Sequence, residues 1–320
     1  MINLLRSEIL RFRSRSLVAA VLVGGSLLIV VGLVIACLLE TKPTALDESY
    51  ARPDLSMCPQ DLHPVVPPKG YTSYALDWGY GDFFDGGYYY GGHSEGYHYG
   101  CYDEFRSLTI VPSGLLALVY LPLALLGSSV IFVLVGIYFG ASLVGADWHH
   151  RSMTTLLTWE SRRGRVYVAR MGTLILGTFL VVLGLEVFGG FGLATAAAFK
   201  GTLVGADGLW LRTTIDVAIK VAALSAVTAA ITASVAMIFR STGAALGLLI
   251  AYFGYEQLLQ AISPTTNFWL LGRSALTFLS PVSTFDAMGL DFSSAVAALS
   301  MYTAAFLIVG FLVFDRRDVS

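Results

Sequence analysis

Charged residues are scarce in this chain, since Asp, Glu, Lys and Arg make up only 13% of its 320 residues. A soluble domain usually carries about a quarter charged residues, so the sequence lacks the polar side chains that a water-facing surface needs. Water-soluble enzymes and disordered chains are thereby excluded, and three cysteines do not make a disulfide-framework miniprotein. A net charge of −2 gives no electrostatic reason to expect a nucleic-acid partner. An integral membrane protein remains.

Several motifs of enzyme chemistry are also missing. The sequence has no Gly-x4-Gly-Lys-Ser/Thr loop for binding phosphates, no His-Glu-x2-His zinc motif and no Cys-x2-Cys pair. With two Asn in the whole chain, a Cys-His-Asn triad has little to draw on. We therefore predict that this chain is not an enzyme, does not hydrolyse ATP itself and carries no cofactor of its own. An integral membrane enzyme is a disfavoured hypothesis.

Long apolar runs are present instead. A helix needs about 20 apolar residues to cross a hydrocarbon core of about 30 Å. An uncharged stretch over residues 108–146 is too long for one span, and we expect a short outer-surface helix that breaks near Pro122. The sequence predicts an all-α polytopic membrane protein, one transmembrane domain over residues 1–320. Its six predicted transmembrane helices cover residues 17–39, 122–145, 171–199, 217–239, 241–262 and 292–314.

Basic residues predict the orientation of these spans, because short cytoplasmic segments are enriched in Lys and Arg. With an inside N-terminus, the inside segments hold twelve of the twenty basic residues. We therefore predict cytoplasmic N- and C-termini in the plasma membrane. The first span is too long for the apolar part of a cleavable signal peptide. The inside basic residues are Arg6, Arg11, Arg13, Arg15, Arg151, Arg162, Arg163, Arg165, Arg170, Arg240, Arg316 and Arg317.

The first sixteen residues combine an apolar stripe with arginines. Such a pattern suits an amphipathic helix lying in the membrane interface, and it equally suits a basic flank that sets the topology. The stripe consists of Ile2, Leu5, Ile9 and Phe12, with Arg6, Arg11, Arg13 and Arg15 between them.

Residues 40–110 form a predicted extracytoplasmic insertion. Between positions 40 and 106 there are eleven acidic and four basic residues, and positions 70–102 hold nine Tyr and nine Gly. Aromatic side chains can pack a small ectodomain, while such a glycine-rich segment can also stay partly mobile as a lid.

Cys58 and Cys101 are predicted to form a disulfide, because both fall in an outward-facing segment. His63, His93 and His98 have no tight metal-ligand spacing, so we predict no metal site.

Residues 146–170 form the predicted cytoplasmic loop between spans two and three. Ser152 can cap a short helix, and the apolar residues of that helix lie within a basic segment. Exposed apolar side chains at that place favour docking of a protein partner. A membrane-surface turn anchored by Trp159 is the alternative. The apolar residues are Met153, Leu156, Leu157 and Trp159.

This loop resembles the intracellular loop of ABC-2-type transporter permeases, in particular actinobacterial permease subunits. The resembling pattern is Gly145-x-Asp147-x3-Arg151-x-Met153-x2-Leu156-Leu157-x3-Ser161-Arg162, which continues to Ala169-Arg170. Both termini and the six-span layout are also similar to that family. Asp147 stands where Glu is usual, and the Tyr/Gly-rich insertion departs from the short loops of relatives.

The resemblance implies a coupling helix that docks in a groove of a separate ATP-hydrolysing subunit. Two such subunits, which hold the ATP and Mg, and a second permease subunit (a copy or a close relative) would be its partners, together with the lipid bilayer. ATP binding would rock the spans between inward- and outward-facing arrangements and export an apolar or amphipathic small molecule or peptide. The implied coupling residues are Met153, Thr154, Leu156, Leu157, Trp159, Arg162 and Arg163.

Two acidic residues lie within predicted spans, where ionisable groups are costly and usually face the bundle interior. Glu186 and Glu256 suggest a substrate path or a gating ion pair. The alternatives are a buried hydrogen bond, or a break near the outer face where half-helices turn back. Residues 268–279, flanked by Pro264 and Pro281, suggest a re-entrant outer helix.

An alternative function for the whole chain is that of a membrane sensor whose extracellular loop recognises a ligand or metal.

Overall fold

The computed structural model describes residues 2–39, 116, 118, 121–149, 162–201, 208–262, 270–279 and 292–316. Helices dominate these residues, and no β-strand occurs among them. The all-α prediction is thereby confirmed for the described part of the chain. The helices are α1 (Ile2–Ser14), α2 (Ser16–Leu39), α3 (Leu121–His149), α4 (Arg163–Lys200), α5 (Gly208–Phe239), α6 (Thr242–Ile262), α7 (Leu271–Leu279) and α8 (Phe292–Arg316).

Five helices in the described ranges are long and apolar enough to cross a membrane, namely α2, α3, α4, α5 and α8. The chain is therefore a multi-pass membrane protein. The remaining predicted span corresponds to α6, which has 21 residues and is not among the five. Its last turns include Glu256, Gln257 and Gln260, the most polar part of that helix. A sixth crossing stays a prediction.

Helix α5 is the centre of the bundle. It contacts α3, α4, α6, α7 and α8, and alanines let those neighbours approach its backbone closely. Burial of most of the helix surface explains why small and apolar side chains dominate α5 beyond its first turns. Its fully buried alanines are Ala222, Ala229, Ala230, Ala233 and Ala236.

Two glycines on α3 allow a close contact with α5. A Cβ on Gly136 would overlap the carbonyl oxygen of Ser225, and a Cβ on Gly140 would overlap that of Ala229. Small residues spaced by four allow this approach between membrane helices. The similar pair on α6, Gly243 and Gly247, has no close neighbour among the described residues.

Helices α4 and α5 both begin earlier than their predicted spans. The sequence predicts that α4 begins at residue 171, whereas the helix begins at Arg163. The predicted start of α5 is residue 217, and the helix begins at Gly208. The additional turns contain charged residues, so uncharged runs alone place both helix starts too late. In the structure Arg170 is buried against Asp147, so a charge inside a helix does not mark its end.

Helix α1 packs on α4. Glu8 is buried, and the Phe12 ring makes an edge-to-face contact with Phe139 at a centroid distance of 6.1 Å. A Cβ on Gly177 would lie 2.6 Å from the Phe12 ring, so this glycine makes room for it. The N-terminal segment is therefore a helix docked on the bundle, which is more than a basic flank.

Candidate functional site at the arginine end of the bundle

The predicted coupling loop lies between α3 and α4. Met153, Thr154, Leu156, Leu157 and Trp159 lie outside the described residues, as do Cys58, Cys101, the three histidines of the insertion and its whole range. The structure describes the two flanks of the loop, up to His149 on one side and from Arg162 on the other. The geometry of these flanks therefore defines the candidate site.

Asp147, in the last turn of α3, is the centre of a buried ion cluster. Its Oδ1 accepts a hydrogen bond from Nη2 of Arg15 at 2.6 Å, and its Oδ2 faces Nη2 of Arg170. Asp147 and Arg170 are 4% and 6% exposed. Arg170 also donates to the carbonyl oxygen of Leu143 at 3.0 Å. One carboxylate thus joins α3 to α4 and to the junction between α1 and α2.

Glu8 is a second buried acid close to this cluster. Its Oε1 lies 3.8 Å from Nη1 of Arg11, and its side chain is 9% exposed. Burial, and next the positive charge of Arg11, lower the pKa of Arg15, while Glu8 opposes them. Two acids and three arginines therefore lie together where α1, α3 and α4 meet, with one positive charge in excess.

Trp148, on the first flank of the loop, contacts two further segments of the chain. The Arg240 guanidinium lies over its ring at 4.6 Å from the centroid, and the Phe314 ring lies edge-on at 6.4 Å. Arg240 follows α5 with a φ of 53°, a left-handed backbone that costs about 1–2 kcal/mol for a residue with a side chain. A cation–π contact contributes about 0.5–2 kcal/mol against that cost.

The second flank of the loop contacts the end of α8. Arg163 donates from Nη1 to the backbone oxygen of Asp315 at 3.1 Å, whereas Arg162 is exposed. Of the predicted coupling residues, these two arginines are described, and the structure places them at the first turn of α4. Whether they bind a partner stays a prediction.

We call this region the arginine end of the bundle. Both flanks of the loop, α1, the turn between α5 and α6 and the end of α8 meet there, through the contacts given above. Most of the arginines predicted to lie inside therefore share one end in the structure. The described arginines of this end include Arg11, Arg15, Arg162, Arg163, Arg165, Arg170, Arg240 and Arg316.

Glu186 is buried in α4, far from the arginine end. Its Oε1 accepts a hydrogen bond from Oγ of Ser128 at 3.0 Å, and Glu186 is 3% exposed. The Ser128 hydroxyl lies also 2.6 Å from the carbonyl oxygen of Leu125. This is the arrangement of a buried hydrogen bond between α3 and α4, and a role in a transport path stays a prediction.

Glu256 is fully buried at the other end of the bundle and caps α7. Its carboxylate accepts hydrogen bonds from the backbone N–H groups of Gly272 and Arg273, both at 2.9 Å. Leu270, which precedes α7, has no side-chain oxygen to accept them, although the first N–H groups of a helix need acceptors. A Cβ on Gly272 would lie 2.8 Å from the carboxylate, so glycine permits this approach. Glu256 therefore replaces the missing cap.

No group of three or more His, Cys, Asp and Glu residues that is suited to a metal ion occurs in the part of the chain that the structure describes. Sequence reasoning did not pair Arg15, Asp147 and Arg170, although each carried part of a recognised pattern. The sequence signal for this cluster was the presence of charged residues within otherwise apolar helix ends.

Comparison with known proteins adds no relative, since no family model, curated protein or solved structure matches this chain.

Proposed function

We propose that this chain is the membrane-spanning permease subunit of an ABC-2-type transporter. Two copies of a separate ATP-binding subunit, which supply the ATP and Mg chemistry, dock on its cytoplasmic loop at residues 146–170. A second permease subunit completes the pathway in the plasma membrane. Both termini are cytoplasmic, six helices span the membrane, and the cargo is an apolar or amphipathic small molecule or peptide that leaves the cell.

The buried cluster of Arg15, Asp147 and Arg170 is the observation that carries this proposal. A loop that transmits motion from an ATPase to membrane helices must be attached rigidly at both of its ends. Asp147 is the second residue of the loop at 146–170 and Arg170 is its last, so their ion pair closes the base of the loop. Breaking a buried pair costs about 3–5 kcal/mol, so displacement of the loop moves α3 and α4 together.

The contacts of Trp148 and Arg163 extend this attachment. They join the same loop base to the α5–α6 turn and to the end of α8. Movement at the loop base therefore reaches α5, the helix that contacts most of the bundle. This geometry supports a mechanism in which a docked ATPase rocks the spans from the arginine end.

Co-purification with an ATP-binding subunit tests the proposal. The full chain is tagged and purified from its own cells in mild detergent, and bound proteins are identified by their peptides. We expect an ATPase with a Gly-x4-Gly-Lys-Ser/Thr loop, and we expect its loss in Leu156→Asp and in Leu157→Asp, because a charge prevents apolar docking.

The matched control is Leu10→Asp, which introduces the same charge at an exposed position of α1. This variant should keep the ATPase. Retention of the ATPase by both loop variants, or its equal loss in the control, would show that the loop is not the docking element.

A further inference from the structure

Helices α2 and α4 pack side by side and run in the same direction. Leu185 of α4 lies 3.2 Å from the position of a Cβ on Gly25 of α2. One turn further along both helices, Ile29 lies 3.7 Å from the position of a Cβ on Gly189. Equal steps along the two helices therefore stay in register. The same register places the start of α2 beside about residue 176 of α4.

Helix α1 does not extend α2 away from this level. The ring of Phe12 packs against Gly177 of α4, level with the start of α2. In a continuous helix the four residues from Phe12 to Ser16 would rise about 6 Å along the axis. The helix is broken at Arg15, between α1 and α2. The chain therefore turns at Arg15, and the end of α1 lies across the axis of α2, at the edge of the bilayer that α2 enters.

The side of α4 next to this docking place is apolar and open. Leu176 and Leu180, close to Gly177 on the helix, are 53% and 56% exposed. Because α4 is long and apolar enough to cross a membrane, such exposed leucines contact lipid. A soluble protein would have to displace this lipid to reach α1. The lipid itself is therefore the favoured partner for the side of α1 that points away from the bundle.

Helix α1 has two faces of different chemistry. Glu8, its only acidic residue, is buried on the face that packs on the bundle. The opposite face, centred about 150° from Glu8, is called here the outer face of α1. Its two arginines lie within about 20° of each other around the helix, and its two aliphatic residues lie about 50° to either side. The outer face consists of Arg6, Ile9, Leu10 and Arg13, all exposed.

We propose that the outer face of α1 binds anionic phospholipid headgroups of the leaflet that meets the arginine end. Ile9 and Leu10 enter the boundary between headgroups and acyl chains, and Arg6 and Arg13 contact the phosphates. Amphipathic helices that combine arginines with apolar residues bind membrane surfaces in this way. Basic residues near the surface favour anionic lipids. Since the one acid of α1 is buried on the other face, no carboxylate of α1 repels these headgroups.

Hydrogen exchange of the full chain in lipid nanodiscs tests the proposal. The chain is placed in phosphatidylglycerol and, separately, in phosphatidylcholine with the same acyl chains. Exchange is measured by mass spectrometry in peptides that cover Ile2–Ser14. We expect exchange at least about tenfold slower in phosphatidylglycerol, because each arginine near an anionic surface contributes a factor of about five.

Charge variants test the role of the two arginines. Arg6→Gln with Arg13→Gln should remove the difference between the two lipids, whereas Arg6→Lys with Arg13→Lys keeps both charges and should retain it. The matched control is Arg162→Gln with Arg316→Gln, since both are exposed arginines of the same end that lie outside α1. This control should retain the difference as well.

Ile9→Gln with Leu10→Gln tests the apolar contact. Exchange of α1 should become about tenfold faster in both lipids, because the two aliphatic side chains no longer enter the bilayer. The ratio between the two lipids should stay, since both arginines are intact. Ile9→Met with Leu10→Met is the matched control: Met and Gln have similar size and helix propensity, so only the polarity differs.

Two results would overturn the proposal. One is equal exchange of α1 in the two lipids, or a difference that the double Arg→Gln variant leaves unchanged. The other is protection of α1 that follows the addition of an ATP-binding subunit and not the choice of lipid, since a protein would then occupy the outer face. Leu156→Asp, which tests the docking loop, should leave these exchange rates unchanged, so failure of one proposal is distinguishable from failure of the other.

Discussion

The two ends of this helix bundle use their polar residues differently. At the arginine end, Asp147 holds two arginines from different segments, and Glu8 adds a second buried acid. At the opposite end, polar groups make separate, local contacts. Glu256 caps α7, and Lys200 donates to the Cys37 oxygen at the end of α2 at 2.8 Å. Trp210 donates to the oxygen of Leu118, which precedes α3, at 3.0 Å.

This difference separates a network from a set of local caps. In a network, loss of one carboxylate leaves several buried charges without compensation. A local cap stabilises one helix end, and its loss stays confined to that end. The helix ends joined at the arginine end are therefore expected to move together, which suits the attachment of a coupling loop. Predictions that separate the two ends follow, with the largest expected effect first.

Asp147→Ala should destabilise the folded chain by about 3–5 kcal/mol, because Arg170 stays buried and Arg15 partly buried without their carboxylate. The measurement is the free energy of unfolding of the purified chain in detergent. Asp315→Ala is the control: it removes an exposed carboxylate at the same end and should change stability by less than about 0.5 kcal/mol.

A double variant sharpens this test of the network. Asp147→Asn combined with Arg170→Met removes both partners of the pair, so it should be less destabilised than the sum of the two single variants. Additive losses would mean that Asp147 and Arg170 act independently, and the network would then be a set of separate contacts.

Glu256→Ala should destabilise α7 by about 1–3 kcal/mol, since two buried N–H groups lose their acceptor. Hydrogen exchange measured by mass spectrometry should become faster in peptides that cover Leu271–Leu279 and stay unchanged at the arginine end. Glu256→Gln keeps an acceptor oxygen and should have a smaller effect. Unchanged exchange of α7 in Glu256→Ala would contradict the assigned cap.

Lys200→Met should have the smallest effect, about 0.5–1 kcal/mol, because it removes one hydrogen bond at the C-terminal end of α2. Lys200→Arg keeps a donor and a positive charge and should come closer to the unchanged chain. The free energy of unfolding reports both. A loss in Lys200→Met as large as that of Asp147→Ala would remove the distinction between the two ends.

Much of the fold could be predicted from apolar runs alone. Uncharged stretches predicted most of the ends of α2, α3 and α8 to within a few residues. This works because a helix exposed to lipid needs apolar side chains around its whole surface. The starts of α4 and α5 were predicted too late, since Arg170 is buried beside Asp147 and Asp216 pairs with Lys220 within the helix. A run of apolar residues cannot reveal a neutralised charge.

The candidate site could be predicted only in part. The arginines indicated one end of the bundle, and the loop pattern drew attention to Asp147. The partner of Asp147 on the first helix is Arg15, 132 positions away in the sequence, so no local spacing reveals the pair. Gly136 and Gly243 show the same limit, because both begin a Gly-x3-Gly pair and only the first packs against a described neighbour.

Site-specific photo-crosslinking tests the central claim, a coupling loop at the arginine end, most directly. A photoreactive amino acid replaces Leu156 in the full chain in cells, and the same amino acid replaces Phe191, an exposed position of α4, as the control. The account predicts an adduct from position 156 that contains peptides of an ATP-binding subunit, and none from position 191. No such adduct from position 156, or equal adducts from both positions, would contradict it.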